Sequence, residues 1–258
     1  MTRTKLFLQN LLFTCLCVYI QAQTDADVPE QKTPGVSFTA GIDAATAYNL
    51  RGMTCNKGFV LQPYLNVRSK WFTYLLWTNY NLQSDDNGLG HFKSSEFTET
   101  DHLFTFLLLP VKFVDLDATL GIYTYPYLGW ESDKEMQIGI SKTFYSYLTP
   151  SVRICYMIDG SMEKNLYVEF GVKGNKKINE QLSFEYLLRA SWEKQGYVSE
   201  SPSGMRELLA TTGLTWMLNK SVGFVGKLNY SEQLNPRILS DKLYDVRFFG
   251  SIGTVVNF

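Results

Sequence analysis

The sequence predicts an all-β fold, a single antiparallel transmembrane β-barrel of about 12 strands. Apolar and polar residues alternate with a period of two in many segments, and the connections between these segments alternate between short and long. The chain also ends in an alternating segment, residues 244–258, with an aromatic residue last. Its even positions are apolar or small, and its odd positions include Asp245, Arg247, Ser251 and Asn257. A period of two indicates a strand with two unlike faces, and transmembrane barrels close by pairing such a strand with the first.

The N-terminus predicts export. Arg3 and Lys5 precede an apolar run over residues 11–20 and a polar exit, so residues 1–22 are expected to be a signal peptide cut near Ala22. The run is too short to span a bilayer, and the alternative is a buried element that opens the fold. Residues 23–35 are expected to form a polar leader and residues 36–258 the barrel. The formal net charge of −1 leaves no basic stripe, which argues against nucleic-acid binding.

The alternation places the strands in order along the chain. We expect strands at 36–48, 59–68, 72–82, 100–109, 116–125, 136–145, 152–158, 166–172, 182–193, 208–218, 222–230 and 244–258. Segment 182–193 is the clearest, because a helix with its period of 3.6 would scatter the charges around its circumference. Pro63 weakens the second strand or marks a bulge there. Residues 49–58 and 83–98 are expected to be loops, since they are rich in glycine and polar residues.

The connections favour a membrane barrel over its soluble alternative. They are short after even-numbered strands and mostly longer after odd-numbered ones, as in outer-membrane barrels with periplasmic turns and external loops. The alternative is a lipocalin-like barrel or a sandwich with its apolar face inward. The 16 Tyr, 17 Phe and 5 Trp, the signal peptide and the final Phe favour the membrane. We therefore predict a location in the outer membrane of a Gram-negative bacterium, with its lipids as partners.

The charged faces are expected to line the lumen, because a basic residue in mid-bilayer costs about 2 to 4 kcal/mol. Lys142 is the main exception, and it is near a strand end where it can reach the interface. Both signs of charge predict a narrow porin-like channel for small polar solutes. The alternative is a non-conducting structural or scaffold barrel plugged by ion pairs, since twelve strands lie between filled and open barrels. The predicted lining residues are Asp43, Arg68, Asp101, Asp117, Arg153, Glu169, Lys173, Glu185, Arg189, Glu193, Glu207, Lys227, Asp245 and Arg247.

Enzymatic chemistry is not expected. His91 and His102 are the two histidines, and neither accompanies a Gly-x-Ser-x-Gly element or a visible triad. Histidines and cysteines do not cluster at ligand spacing, so neither a metal nor a cofactor is expected. Cys55 and Cys155 can form a disulfide only if their Cα atoms come within about 7 Å, and the alternative is two free thiols.

Two segments resemble known outer-membrane sequences. Residues 251–258, with Gly253 and the final Phe258, resemble the signal by which the barrel-assembly machinery recognises its clients. Residues 43–67, with Tyr-Asn-Leu-Arg-Gly-Met at 48–53 and Gln62 in the returning strand, resemble the TorF-type family of outer-membrane porins. Residues 123–126 are similar to the aromatic-proline strand end of that family. The resemblance implies an outer-membrane pore without catalytic residues, and it implies a structured first loop at Arg51 and Gly52, although Gly52 alone would also suit a simple turn.

Overall fold

The computed structural model describes residues 35–87, 89–111, 114–145, 147–160, 164–194 and 202–258. The predicted signal peptide and nearly all of the polar leader lie outside the described residues, so both stay predictions.

The described chain is all-β and contains a closed antiparallel barrel of twelve strands, which confirms the predicted fold. The order around the barrel is β1-β16-β15-β14-β13-β12-β11-β10-β9-β8-β5-β4, and two small hairpins, β2–β3 and β6–β7, lie in its loops. The strands are β1 (Val36–Ala45), β2 (Tyr48–Leu50), β3 (Met53–Asn56), β4 (Val60–Ser69), β5 (Phe72–Asn81), β6 (Asp85–Asn87), β7 (Gly90–Phe92), β8 (Phe97–Val111), β9 (Val114–Thr124), β10 (Asp133–Ser141), β11 (Thr149–Asp159), β12 (Leu166–Lys177), β13 (Leu182–Glu193), β14 (Gly204–Met217), β15 (Val222–Gln233) and β16 (Phe248–Asn257).

The barrel closes where its first and last strands meet. β1 pairs with β16, and Asp43 lies opposite Gly253 in that register. A side chain at position 253 would collide with the Asp43 carboxylate and with the backbone of Ile42. The predicted role of Gly253 and Phe258 in recognition by the assembly machinery is separate from this packing and stays a prediction.

The apolar face of the strands points outward. Leu188 is 50% exposed and Ile252 is 74% exposed, whereas Glu135 and Glu207 on inward-facing positions are each 1% exposed. A closed sheet with a continuous apolar outer face and satisfied backbone hydrogen bonds is suited to hydrocarbon. The molecule is therefore a transmembrane barrel of the outer-membrane type, and the soluble alternative is wrong. Within the described residues no helix has the length and hydropathy of a membrane span.

The two ends of the barrel differ. The strand ends that flank residues 46–59, 82–96, 125–132, 160–165, 194–203 and 234–247 lie at one end, the loop end. Those that flank residues 70–71, 112–113, 142–148, 178–181 and 218–221 lie at the other, the turn end. This arrangement confirms the predicted alternation in general. The connection 142–148 departs from it, because it is slightly longer than the loop-end connection 160–165.

Several predicted boundaries are wrong. β12 continues to Lys177 instead of ending at residue 172, and β16 begins at Phe248 instead of at residue 244. The predicted loops 49–58 and 83–98 contain the hairpins β2–β3 and β6–β7. Pro63 does not shift the register between β4 and β5. The ladder skips residues 62 and 63 and resumes unchanged at Tyr64, as expected because proline has no N–H to donate.

Candidate functional site in the barrel lumen

The hairpin β2–β3, residues 48–56, turns into the barrel and crosses its lumen; we call it the lumen hairpin. It belongs to the connection between β1 and β4, which are neighbours in the barrel wall. At its tip, the guanidinium carbon of Arg51 lies 4.3 Å from the ring centroid of Tyr167 in β12. β12 is five strands from β1 in one direction and six from β4 in the other. The tip therefore reaches the wall opposite its origin.

The tip is a tight turn that requires glycine. Arg51 and Gly52 both have positive φ angles, 49° and 80°, as in the two-residue type I′ turns that suit β-hairpins. A Cβ atom on Gly52 would lie 2.8 Å from Cδ2 of Leu239 and 2.9 Å from Oε2 of Glu207. The loop containing Arg51 and Gly52 is thus well structured. Gln62, the third residue of the family motif, donates from Nε2 to Oδ1 of Asn79 at 3.2 Å.

Arg51 attaches the tip to the opposite wall. Its two terminal nitrogens donate to the two carboxylate oxygens of Glu135 in β10, each at 2.8 Å. Glu135 also accepts hydrogen bonds from Gln137 at 2.8 Å and from the Tyr123 hydroxyl at 3.2 Å. The backbone carbonyl of Arg51 accepts a hydrogen bond from Nε of Arg206 at 2.7 Å. A bidentate pair of this kind fixes both position and orientation.

The rear of the lumen hairpin is held by the last long loop. The Thr54 N–H donates to the carbonyl of Leu243 at 2.8 Å, and the Thr54 hydroxyl accepts from the N–H groups of Asp245 and Val246 at 3.1 and 3.0 Å. Asp245 and Arg247 belong to this loop and precede β16. Their side chains are 54% and 57% exposed, so the structure does not bring these two residues into the predicted inner face of a strand.

A β-bulge brings an unexpected arginine into the interior. The register between β13 and β14 shifts between Ala190 and Trp192, so the consecutive residues Arg206 and Glu207 are both buried. Arg206 pairs with Glu193. Glu207 accepts from Nη2 of Arg189 at 2.9 Å and from the Tyr167 hydroxyl at 3.1 Å. Strict alternation assigns Arg206 to the outer face, and the bulge reverses that assignment.

Other inward residues were missed for a simpler reason. Glu99 and Glu135 lie just before the predicted starts of their strands at residues 100 and 136, and both are buried. The signal was present, because Asp133, Glu135 and Gln137 continue the polar alternation toward the N-terminus. Extending each strand backward while the alternation lasted would have found them.

The turn-end half of the lumen is more open. Two cavities of about 520 and 240 Å³ lie there, and Lys173 lines both. Three ion pairs in the turn-end half link strands across the inner face. They are Arg153 with Asp117 at 3.0 Å, Arg189 with Glu169 at 2.9 Å and Lys227 with Asp43 at 3.9 Å.

Twelve of the fourteen predicted lining residues occupy inward-facing strand positions, all except Asp245 and Arg247. Eleven of them surround the two halves of the lumen, and Arg68 is exposed near the turn end. The structure shows which of these residues occupy inward-facing positions. Their contact with a passing solute stays a prediction.

The cysteines and histidines lie apart from one another. Cys55 and Cys155 are not joined by a disulfide, and burial raises the pKa of the Cys55 thiol well above its usual value. His102 faces outward, with its Nδ1 2.9 Å from the Tyr74 hydroxyl. His91 contacts Asp86 in a loop at 2.6 Å. In the part of the chain that the structure describes, His, Cys, Asp and Glu form no group suited to a metal ion.

Comparison with known proteins supports the architecture. Neither a protein-family model nor a curated protein matches the sequence. Among solved structures, the KdgM porin is 7% identical with a TM-score of 0.52, covering 86% of this chain and 99% of its own. The NanC porin is 8% identical with a TM-score of 0.50, covering 86% and 98%. The fold is that of an outer-membrane porin.

A third structure extends this likeness. The COG4313 outer membrane channel from Pseudomonas putida F1 is 10% identical with a TM-score of 0.50, covering 92% of this chain and 100% of its own. At these identities the likeness concerns the fold. The resemblance to TorF-type porins remains a prediction from the sequence motifs.

Proposed function

We propose that this protein is a narrow porin-like channel that passes small polar solutes through the outer membrane. The observation that carries the proposal is the turn-end half of the lumen, where a cavity of about 520 Å³ is lined by side chains such as Lys173, Glu185, Thr211 and Asn229. A polar, partly open interior within an apolar outer wall is the arrangement of porins. The lumen hairpin then sets the narrowest passage, because it crosses the barrel at the loop-end half.

The mixed charge of the inner face favours small solutes over long polyanions. A KdgM porin structure contains disordered oligogalacturonate, which is a chain of acidic sugars. In this protein Asp117, Glu169 and Asp43 lie beside the bases that would attract such a chain. Their carboxylates repel polyanions and at the same time compensate the basic side chains.

A second candidate is a non-conducting structural or scaffold barrel. It is favoured by the lumen hairpin itself, which packs against the loop-end wall so closely that the space beside Arg51, Tyr123 and Glu135 is only about 50 Å³. That volume accommodates a few water molecules, each needing about 10 to 15 Å³. The two candidates differ in whether this hairpin leaves a passage beside it.

Conductance in planar bilayers tests both candidates. We expect discrete current steps from the purified protein, and steps about three-fold larger or more when residues 49–55 are replaced by Gly-Ser-Gly, since lumen width governs conduction. The matched control shortens the other hairpin at residues 86–91, where the paired side chains of Asp86 and His91 are exposed, and it should conduct like the wild type.

The outcomes separate the candidates. If only the protein lacking the lumen hairpin conducts, the plugged barrel is correct. If neither protein conducts at high protein load while both are folded, the channel proposal is rejected.

A further inference from the structure

The two rims of the barrel differ in charge. Apart from the lumen hairpin, the described connections at the loop end carry seven bases and six acids. The described residues that form the turn-end rim carry six bases but only two acids, Asp115 and Glu180. We call the six bases the basic rim, and they are Arg68, Lys70, Lys142, Lys176, Lys177 and Lys220.

The basic rim has no acidic partner among the described residues. None of its six side chains forms an ion pair there. At the loop end, by contrast, Lys57 pairs with Asp245 at 3.2 Å and Arg247 with Glu232 at 3.6 Å. All six bases of the basic rim are exposed except the half-buried Lys142. Clustered like charges repel one another, so an anionic surface outside the protein would compensate them.

The lysines of the basic rim include two on the outer face of the barrel. Lys176 lies opposite Phe184 in the register of β12 and β13, and residues opposite each other share a face of the sheet. Lys142 follows Ile140, which is 45% exposed on the outer face, by two positions. Its N–H donates to the carbonyl of Pro150 at 3.2 Å, so the ladder continues to this residue. Both lysines therefore lie directly below the apolar belt that hydrocarbon covers.

Exposed aromatic rings accompany the basic rim. Trp71 and Trp216 are 48% and 49% exposed, and Nζ of Lys70 lies 5.0 Å from the ring centroid of Trp71. The rings of Tyr145 and Tyr147 stack with their centroids 5.2 Å apart. Tryptophan, tyrosine and lysine together are typical of the depth at which a membrane protein meets lipid headgroups. The basic rim is therefore at the level of the lipid phosphates.

The basic rim is spread around the barrel. Its members lie in or beside the turns that join β4 to β5, β10 to β11, β12 to β13 and β14 to β15, which are distributed around the twelve strands. A compact protein partner would contact one side of such a ring, whereas the surrounding lipids contact every side at once. Short turns face the periplasm in barrels of this type, which places the basic rim in the periplasmic leaflet.

We infer that the basic rim binds anionic phospholipids of the periplasmic leaflet, and that Lys70, Lys142, Lys176 and Lys220 select them over zwitterionic lipids. Ammonium groups donate to phosphate oxygens in charge-assisted hydrogen bonds, and lysines beside a membrane are attracted to anionic headgroups. The inference depends on the position of the barrel in the membrane and not on conduction. It can therefore fail while the channel proposal stands, and the reverse.

Electron paramagnetic resonance of spin-labelled lipids tests the inference. With the protein in phosphatidylcholine bilayers, the spectra give the association constant of labelled phosphatidylglycerol relative to labelled phosphatidylcholine. For the wild type at low salt we expect a ratio of about 2 to 3, and a ratio near 1 in 1 M NaCl, where the Debye length is about 3 Å. Changing Lys70, Lys142, Lys176 and Lys220 to Gln should lower the low-salt ratio to about 1.

The matched control removes the same number of charges from the other end. It changes the exposed loop-end residues Lys93, Lys134, Lys194 and Lys242 to Gln, and it should keep the wild-type ratio. Heat-modifiable migration on gels checks that each variant is folded. A wild type without preference for phosphatidylglycerol, or a folded turn-end variant that retains the preference, overturns the inference. Equal losses in the two variants also overturn it, because the preference would then follow total charge and not the basic rim.

Discussion

The loop-end and turn-end halves of the lumen are enclosed by the same twelve strands, yet one is filled and the other is open. In the loop-end half, Glu193, Arg206 and Glu207 are each 1% exposed, and the lumen hairpin crosses the space between the walls. In the turn-end half, the cavities of about 520 and 240 Å³ remain. Strand number sets the diameter of a barrel. Here an inward loop decides how much of that diameter stays open.

The ion pairs of the two halves differ in burial as well. Glu135, the partner of Arg51, has a side chain that is 1% exposed, whereas the partners Arg153 and Asp117 are 31% and 18% exposed. Removing one member of a buried pair leaves a charge that neither water nor protein compensates. A pair in which both side chains reach water is partly solvated, so losing one member costs less. The comparison can therefore be tested by removing matched charges from the two halves.

The largest expected effect is that of Arg51→Ala. This change strands the Glu135 carboxylate and frees the hairpin tip, and we expect it to lower the free energy of unfolding by about 3 to 5 kcal/mol and to raise single-channel conductance. Unfolding in urea, followed by tryptophan fluorescence in detergent micelles, measures the first effect. Arg153→Ala is the control in the turn-end half. Equal losses for the two variants would contradict the contrast between a filled half and an open half.

A smaller effect is expected for Gly52→Ala. The positive φ angle of Gly52 and the proximity of its missing Cβ to Leu239 and Glu207 predict a loss of about 1 to 3 kcal/mol. Gly129→Ala is the control, because Gly129 also has a positive φ angle, 67°, but would place its Cβ in open space. The Gly129→Ala variant therefore measures the cost of backbone strain without the collision of a new Cβ atom with neighbouring side chains. If Gly129→Ala destabilises the protein as much as Gly52→Ala does, then the packing of the tip against the opposite wall is unimportant.

The smallest effect is expected for Asp245→Asn. Lys57 and Asp245 form an ion pair at 3.2 Å, but their side chains are 44% and 54% exposed. The hydrogen bond to Asp245 and the nearby charge of Asp85 raise the pKa of the Lys57 ammonium group. Lys57 is well exposed, so water solvates its charge after the change, and the free energy of unfolding should fall far less than for Gly52→Ala. A loss comparable to that of Gly52→Ala would show that this loop carries as much of the hairpin's support as the opposite wall does.

Much of the barrel could be predicted from the sequence, and the exceptions have identifiable causes. The period of two defined the strands and their outer face, because one register shift would expose every charge on a strand to hydrocarbon. It misplaced strand ends, as at Glu99 and Glu135, where the alternation continues into a segment that also reads as a loop. It also could not predict the inward position of Arg206, since a bulge adds a residue to one strand without leaving a mark on local polarity.

The sequence by itself determined the closed antiparallel barrel, its outward apolar face and the inward position of most charges, because these depend on local alternation and on the cost of burying charge in lipid. Only the tertiary structure decided where residues 48–56 go. Their composition indicates a turn, but the contacts of Arg51 with Glu135 and Tyr167 join residues more than eighty positions apart. Such contacts depend on barrel closure, which brings distant strands to face one another.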